Sequence, residues 1–357
     1  MAKKKTCGEV AETAPIRVGI LGLGRAGYGM QAAELSARKG KFEIAAGCDL
    51  SPARRKRFAH DYAGAKVYAA AEDLIADPSV ELVSVATRTP THVEWAVKAL
   101  NAGKYVMCEK PIATSQKDSL KLQAADRKHP GKLFIRQNRR YEAAFNDVWD
   151  IVHSGILGDI YEIKLCRHNY QRRDDWQTVL AEGGGQLLNW GPHIVDHALQ
   201  LLESPVVSVV SELRRIAAVG DAEDHVHLEL RGKNGRIADV EISGGVAIGE
   251  PVYWIAGTKG SLVSWDERTI ELRYLDPKAK LPARRVKLGL MDSFGSPDKL
   301  AWVTETREVR KDISPSSIWD NLHEHLRLGK PFRVKNAEAF EVMRILALAA
   351  ASRGKGL

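Results

Sequence analysis

Residues 16–29 read IRVGILGLGRAGYG, an apolar run that ends on three glycines spaced Gly22-x-Gly24-x-x-Gly27. A helical pattern follows over 25–39. A buried strand that meets such glycines and then a helix leaves the chain few choices. Gly22 permits a sharp turn, Gly24 has no side chain to block a pyrophosphate, and Gly27 lets the helix lie close on its strand. The helix N-terminus then offers unpaired N–H groups to the phosphates. Glycine spacing alone is weak evidence, and a glycine-rich turn of some other α/β domain is the plainer alternative. The context favours the dinucleotide: a second strand, 42–48, ends at Asp49. That acid lies about 20 residues past the last glycine, where a dinucleotide-binding fold places its ribose-binding carboxylate. The candidate cofactor-binding residues here are Gly22, Leu23, Gly24, Arg25, Ala26, Gly27 and Asp49, with Arg54 opening the next helix.

Strands and helices then alternate. Helices are predicted over 52–62, 71–76, 91–101 and from Ser115 to about 128, with Ser115 and Asp118 as a capping box and Gly103 as a C-terminal cap. Strands are predicted at 66–68, 81–86, 105–108 and 133–135. This alternation means a parallel sheet with right-handed crossovers. Beyond it the pattern changes. A helix over 142–154 and a strand over 160–167 precede the glycine-rich stretch 183–185, which leads into a helix ending near 201. Strands follow without intervening helices at 206–216, 226–230, 237–242, 252–256, 261–264 and 269–274, and Asn234-Gly235 marks a hairpin turn. The stretch 277–313 reads as polar and irregular. Two closing helices are predicted, over 315–328 with Ser314 as N-cap and Pro315 in the first position, and over 337–352. The expected fold class is α/β. A Rossmann dinucleotide-binding domain spans 15–138, and an α+β domain with a mostly antiparallel open sheet spans 139–357, for substrate binding and oligomerisation. A flexible tail is expected over 1–14.

The formal net charge of +8 suits acidic ligands or nucleic acid, but the basic residues are dispersed and no basic helix carries interleaved aromatics. No nucleic-acid partner is expected. Cys7, Cys48, Cys108 and Cys166 lack metal-ligand or redox spacing, which suggests reduced thiols. Lys3, Lys4 and Lys5 are not followed by an apolar h-region, and no apolar run is long enough to span a membrane. A cytoplasmic protein without a membrane partner is expected. His225 and His227 alternate with apolar residues and read as the outer face of a strand, so no metal site is expected.

In an open parallel sheet, ligands bind beyond the carboxyl ends of the strands. Three segments leave those ends with chemical groups: TRTPTH at 87–92, Glu109-Lys110-Pro111, and Asn138-Arg139-Arg140. The second half offers GGGQLLNWGPHIVD at 183–196, in which His193 and Asp196 share a helix face. These residues carry a resemblance. GLGRAG, Ala102-Gly103-Lys104 followed by VMCEKP, the pattern GGGxLxxxGxHxxD and the late segment LHEHLRLGKPFRV occur in one order. Together they make the chain, from Ile16 onward, resemble the Gfo/Idh/MocA family, which includes glucose–fructose oxidoreductase and inositol dehydrogenase.

The resemblance implies an oxidoreductase using NAD, with NADP as the alternative, on a sugar, cyclitol or related polyol. It implies that Lys110 is the active-site lysine, that His193 transfers protons, and that Thr87, His92, Glu109 and Lys110 itself lie by the nicotinamide half of the cofactor. Arg88 stands where the family usually has proline. Asn189 stands where inositol dehydrogenases carry aspartate, and is reminiscent of nucleotide-sugar 3-dehydrogenases of the family. Asn189 is expected to orient a hydroxyl or the lysine, and Asp196 is the reserve proton acceptor. Arg167, Trp176 and His197 are candidate substrate contacts, with Arg172 and Arg173 in the same loop region.

Alcohol oxidation needs a base for the hydroxyl proton, a cation for the developing alkoxide, and a carbon held against the nicotinamide. His193 suits the first role and Lys110 the second. The expected reaction is oxidation of a ring hydroxyl, carbon 3 favoured, of a sugar, glycoside or sugar derivative. Two rivals are an NAD-dependent glycosidase working by transient oxidation and elimination, and a non-catalytic nucleotide-sensing regulator. The presence of both Lys110 and His193 argues against the regulator. Family relatives imply a homodimer or homotetramer built on the second sheet.

Overall fold

The computed structural model describes residues 14–286, 295 and 298–351. The tail expected over 1–14, Ala14 excepted, lies outside the described residues, as does Cys7. Two sheets organise the chain. The first contains β1 (Ile16–Leu21), β2 (Phe42–Cys48), β3 (Lys66–Tyr68), β4 (Leu82–Val85), β5 (Tyr105–Cys108) and β6 (Leu133–Ile135), all parallel, in the order β3-β2-β1-β4-β5-β6. The order reverses between β1 and β4, which opens a crevice at their carboxyl ends. β4 is buried throughout, as expected of a parallel strand covered by helices on both faces. The helices are α1 (Ala33–Ser36), α2 (Pro52–Asp61), α3 (Ala71–Ala76), α4 (His92–Asn101) and α5 (Gln116–Lys128). Ser115 caps α5 by accepting from the Asp118 N–H at 3.1 Å, and its hydroxyl donates to the Asp118 carboxylate at 2.8 Å.

The helix expected over 25–39 differs in kind. It opens as a π-helical segment, Gly27–Ala32, before α1. The wide turn, with Gln31 N–H donating to the Ala26 carbonyl at 2.9 Å, carries the Gln31 side chain into the buried interior. Such turns often mark functional positions. Gln31 reaches the crevice floor described below.

The second half contains α6 (Ala143–His153), β7 (Ile160–His168), α7 (Gln186–Asn189), α8 (Gly191–Leu202), β8 (Val206–Arg214), β9 (His225–Gly232), β10 (Ile237–Ser243), β11 (Tyr253–Gly257), β12 (Gly260–Ser264), β13 (Thr269–Leu275), β14 (Trp302–Glu308), α9 (Ser317–Leu328) and α10 (Asn336–Ala350). Its sheet runs β14-β13-β12-β11-β7-β10-β9-β8 and is antiparallel except where β7 meets β10. Period-two alternation sends Val226, Leu228 and Leu230 to the inner face, where α7 meets β9 and α8 meets β7 and β10, and leaves His225, His227 and Glu229 on the other.

Two expectations along this half need correcting. The stretch read as irregular contains β14, an edge strand paired with β13. Its sequence WVTETRE carries little apolar signal because an edge strand takes its order from the ladder, not from burial. The helix expected from 315 begins at Ser317. The Ser314 carbonyl first accepts from Ser317 N–H at 2.8 Å, so Pro315 sits in a preceding turn.

The closing helices return to the first sheet. Trp319 is buried, meets Phe42 edge-on at 5.7 Å, and donates its indole N–H to Glu34 at 2.7 Å. Arg327 grips Glu81 with two bonds of 2.8 and 2.7 Å, and Asn336 donates to Asp126 at 2.9 Å. These contacts tie α9 and α10 to α1, to α5 and to the amino ends of β2 and β4, on the side of the first sheet opposite the crevice.

Candidate active site

The cofactor side is built from backbone. Gly22 has φ +99°, and a Cβ there would lie 2.6 Å from the Ala86 carbonyl oxygen. A Cβ on Gly27 would fall on the Gly22 carbonyl oxygen. Over Gly24 the space is open, with Arg54 the nearest neighbour at 3.8 Å. Leu23 is buried and serves through its N–H, which donates to Asp49 Oδ2 at 2.9 Å. Asp49 Oδ1 accepts from Ser51 N–H at 2.8 Å, and Arg54 Nη1 reaches Oδ2 at 3.3 Å. Ala26 is half-buried and Arg25 exposed beside this turn. An open loop with no side chain at Gly24, a free helix start and a carboxylate at the end of β2 together fit a dinucleotide.

Beneath the cleft lies a buried ionic group. Glu109 Oε1 accepts from Gln31 Nε2 at 2.8 Å and from Arg136 Nη1 at 2.9 Å. Arg136 also reaches Glu34 at 2.6 Å. Burial opposes the Glu109 charge, but Arg136 and Lys110 outweigh it and hold the carboxyl below its usual range. Glu109 is therefore engaged from below. His92 is engaged too. Its Nδ1 lies 2.8 Å from the Pro111 carbonyl and its Nε2 3.0 Å from the Thr87 carbonyl. It fastens the 87–92 loop to the Lys110–Pro111 turn, whose peptide is cis. The Thr87 hydroxyl accepts from Thr91 Oγ1 at 2.8 Å.

Lys110 crosses the cleft. Its Nζ donates to the Asn189 main-chain carbonyl at 2.9 Å. Burial pulls its pKa down to about 8; Glu109 opposes this, while Arg139, Arg136 and Arg25 add to it. His193, at the start of α8, is buried, and its Nδ1 has no hydrogen-bond partner. Burial first, then Lys110 and Arg139, hold its pKa well below the ordinary imidazole value, so the ring is neutral at neutral pH. The structure thus brings Lys110 and His193 together from opposite sides of the cleft.

Other candidates are placed differently. Both oxygens of Asp196 are taken by Arg140, at 2.7 and 2.6 Å, and Arg140 also pairs with Glu338. Asp196 is thus a buried ion-pair partner and offers no free oxygen as a reserve base. The Asn189 side chain faces Gln177 at 3.5 Å; its main chain, not its amide, holds Lys110. His197 stacks on Phe145 at 3.9 Å and 9°, with Nε2 on the Arg139 carbonyl at 3.0 Å, so packing accounts for it. Trp176 lies under Arg88 at 5.5 Å, and Arg88 pairs with Glu182, bridging the two halves. Arg173 pairs with Asp175 at 2.7 Å. His227 pairs with Asp239 at 2.7 Å on the outer face of the sheet.

Trp190, not singled out from the sequence, lies at the cleft with two arginines that were. Arg139 stacks its guanidinium 4.2 Å over the Trp190 ring, and Arg167 approaches the same ring at 5.5 Å. Trp190 sits between Asn189 and Gly191 inside the glycine-histidine pattern, and Arg139 inside the Asn138-Arg139-Arg140 segment. Those positions were the available signal.

Comparison with known proteins gives the family and the fold. Residues 16–137 match the model of an oxidoreductase family with an NAD-binding Rossmann fold, and residues 145–263 match the Gfo/Idh/MocA C-terminal domain. An uncharacterised oxidoreductase of Schizosaccharomyces pombe is 30% identical over 261 residues, 70% of this chain and 71% of that protein. Inositol 2-dehydrogenase of Acidothermus cellulolyticus is 27% identical over 310 residues, 85% of this chain and 88% of that one. The crystal structure of an NAD-binding protein from Listeria innocua superposes with a TM-score of 0.81 at 25% identity, covering 95% of this chain and 98% of the other.

Proposed function

The chain belongs to the Gfo/Idh/MocA oxidoreductase family, and on that premise we propose that it oxidises a ring hydroxyl of a sugar, glycoside or sugar derivative to a ketone, carbon 3 favoured. The observation that carries the reading is that Lys110, fixed at the Asn189 carbonyl, lies close enough to act on His193, whose Nδ1 is unpartnered, while Arg25 of the glycine turn acts on Lys110. His193, neutral at neutral pH, takes the hydroxyl proton. Lys110, as the ammonium, stabilises the developing alkoxide. Bound NAD supplies the hydride acceptor. Asp49 favours NAD over NADP because its carboxylate suits a ribose hydroxyl and repels a 2′-phosphate. Arg54 beside it is the group that would receive that phosphate.

The test is incubation with NAD and a panel of pyranoses, glycosides and cyclitols, following absorbance and products together. NADH formation with a ketone product supports the reading. Glycoside cleavage without net NADH would transfer it to a glycosidase, and tight nucleotide binding with no turnover to a regulator. The outer face of the larger sheet leaves Trp254 and Val263 half-covered and Val210 exposed, which supports a second copy packed there as a homodimer or homotetramer. A monomer by light scattering would overturn that. No described helix is long and apolar enough to cross a membrane, and a cytoplasmic site of action is part of the same proposal.

A further inference from the structure

Trp190 gathers groups that the oxidation of a neutral alcohol does not require. Arg139 comes from the turn after β6 and Arg167 from the inner face of β7, yet both guanidinium groups lie on the Trp190 ring, at 4.2 and 5.5 Å. Arg167 also approaches the Tyr253 ring at 5.8 Å. The residue before Trp190 holds Lys110, and the Trp190 carbonyl accepts from the His193 N–H at 2.9 Å. Two cations therefore flank the short stretch that carries His193 and accepts the Lys110 hydrogen bond.

Their acids do not exhaust them. Glu142 pairs with Arg139 and lies 3.6 Å from Arg167, while Glu267 pairs with Arg167 at 2.6 Å. Among the described residues Arg139 commits only Nη1 to a hydrogen bond, and Arg167, with one-tenth of its side chain exposed, buries an Nε that has no partner. The charged groups acting most strongly on His193 are all basic: Lys110, Arg139, His197 and Arg136. Glu109, the acid acting on Lys110, is already bonded by Arg136 and Gln31. The carboxylates nearest these arginines belong to Glu142, whose Oε2 is buried without a hydrogen-bond partner 3.6 Å from Arg167, and to Glu267, and a proton moved onto His193 would add to the positive charge already acting on it.

Building on the sugar-oxidation reading above, we propose that Arg139 and Arg167 form an anion-recognising wall of the substrate site, and that the substrate carries a carboxylate or phosphate beside the reacting ring. Guanidinium is the side chain whose planar fork matches both anions, and an indole under it keeps its edge directed outward. The substrate's negative charge would also offset the proton arriving on His193.

The test uses protein saturated with NADH, so that no oxidation occurs during binding, and three probes that differ only at carbon 6: D-glucose, D-glucuronate and D-glucose 6-phosphate. Calorimetry should show at least one acid binding about tenfold or more tighter than glucose, the range expected for a charged hydrogen-bonded pair. The two acids distinguish carboxylate from phosphate. Arg139→Gln should abolish the preference and leave NADH affinity unchanged, and Arg139→Lys should restore part of it. Glucose binding as tightly as both acids, no binding by either acid, or a preference surviving in Arg139→Gln would overturn the wall. A parallel assay with NAD separates the two proposals. Acid preference in binding with no NADH formed from any sugar would keep the wall and sink the oxidation reading. NADH formed from sugars with no acid preference would do the reverse.

Discussion

The two sides of the cleft are made by different means. The cofactor side uses glycines, main-chain N–H groups and one carboxylate, all close in the chain; Leu23 and Asp49, which it joins, are 26 residues apart. The substrate side is assembled from the 110 turn, the 139 turn, β7 and the start of α8, and its key bond, Lys110 to Asn189, spans 79 residues. Backbone geometry is enough to hold a pyrophosphate, whose shape is constant. A specific hydroxyl needs side chains placed by long-range packing.

The sharpest way to break this comparison is to remove a reacting group. Lys110→Ala and His193→Asn should each lower turnover by about 10²–10⁴-fold. Both should leave NAD affinity, measured by calorimetry, nearly intact. A parallel loss of NAD binding would mean that the two sides are not separable. Asp196→Asn should act on stability instead. It leaves buried Arg140 without its two-bonded partner, at a cost of about 3–5 kcal/mol readable from the urea midpoint. Unchanged stability with lost turnover would return Asp196 to the chemistry.

On the other side, Asp49→Ala should weaken NAD about tenfold, the scale of a lost charged hydrogen bond, and narrow the preference over NADP. Tighter binding of NADP by the unmutated protein would reverse the cofactor assignment. The pH profile tests which group is the base. Lys110 is needed as the ammonium, and its pKa is lowered to about 8, so kcat/KM should be full below that value and fall as pH rises through it. Asn189→Asp would add negative charge nearby and move the fall to higher pH. A rise through pH 8 would make Lys110 the base instead of His193. The smallest effect should come from Asn189→Ala. The carbonyl that holds Lys110 remains, so turnover should stay within about twofold, the usual scatter of substitutions that remove no buried partner.

Where the proposed function is local, it is read from neighbouring residues. Gly22, Gly24 and Gly27 are read from the stereochemistry of a turn, and Asp49 from its distance along the chain, because short-range geometry acts the same way in any chain. The same holds for the parallel alternation of the first sheet and the period-two strands of the second. Lys110 and His193 were found by spacing and resemblance. What they touch was not legible. A carboxylate such as Asp196 or an imidazole such as His92 or His197 reads alike whether it is open to substrate or fully engaged, and only the fold put Arg140, the Thr87 and Pro111 carbonyls, and Phe145 against them. β14 was missed because an edge strand shows its pairing rather than its burial. The sequence alone determined the sheet, the glycine turn and the chemical groups available. The tertiary structure decided which were engaged and which cations surround them, because burial and pairing across 50 to 80 residues depend on packing within the second half, as for Asp196 and Arg140, 56 residues apart, and on how the halves dock, as for Lys110 and Asn189, 79 residues apart.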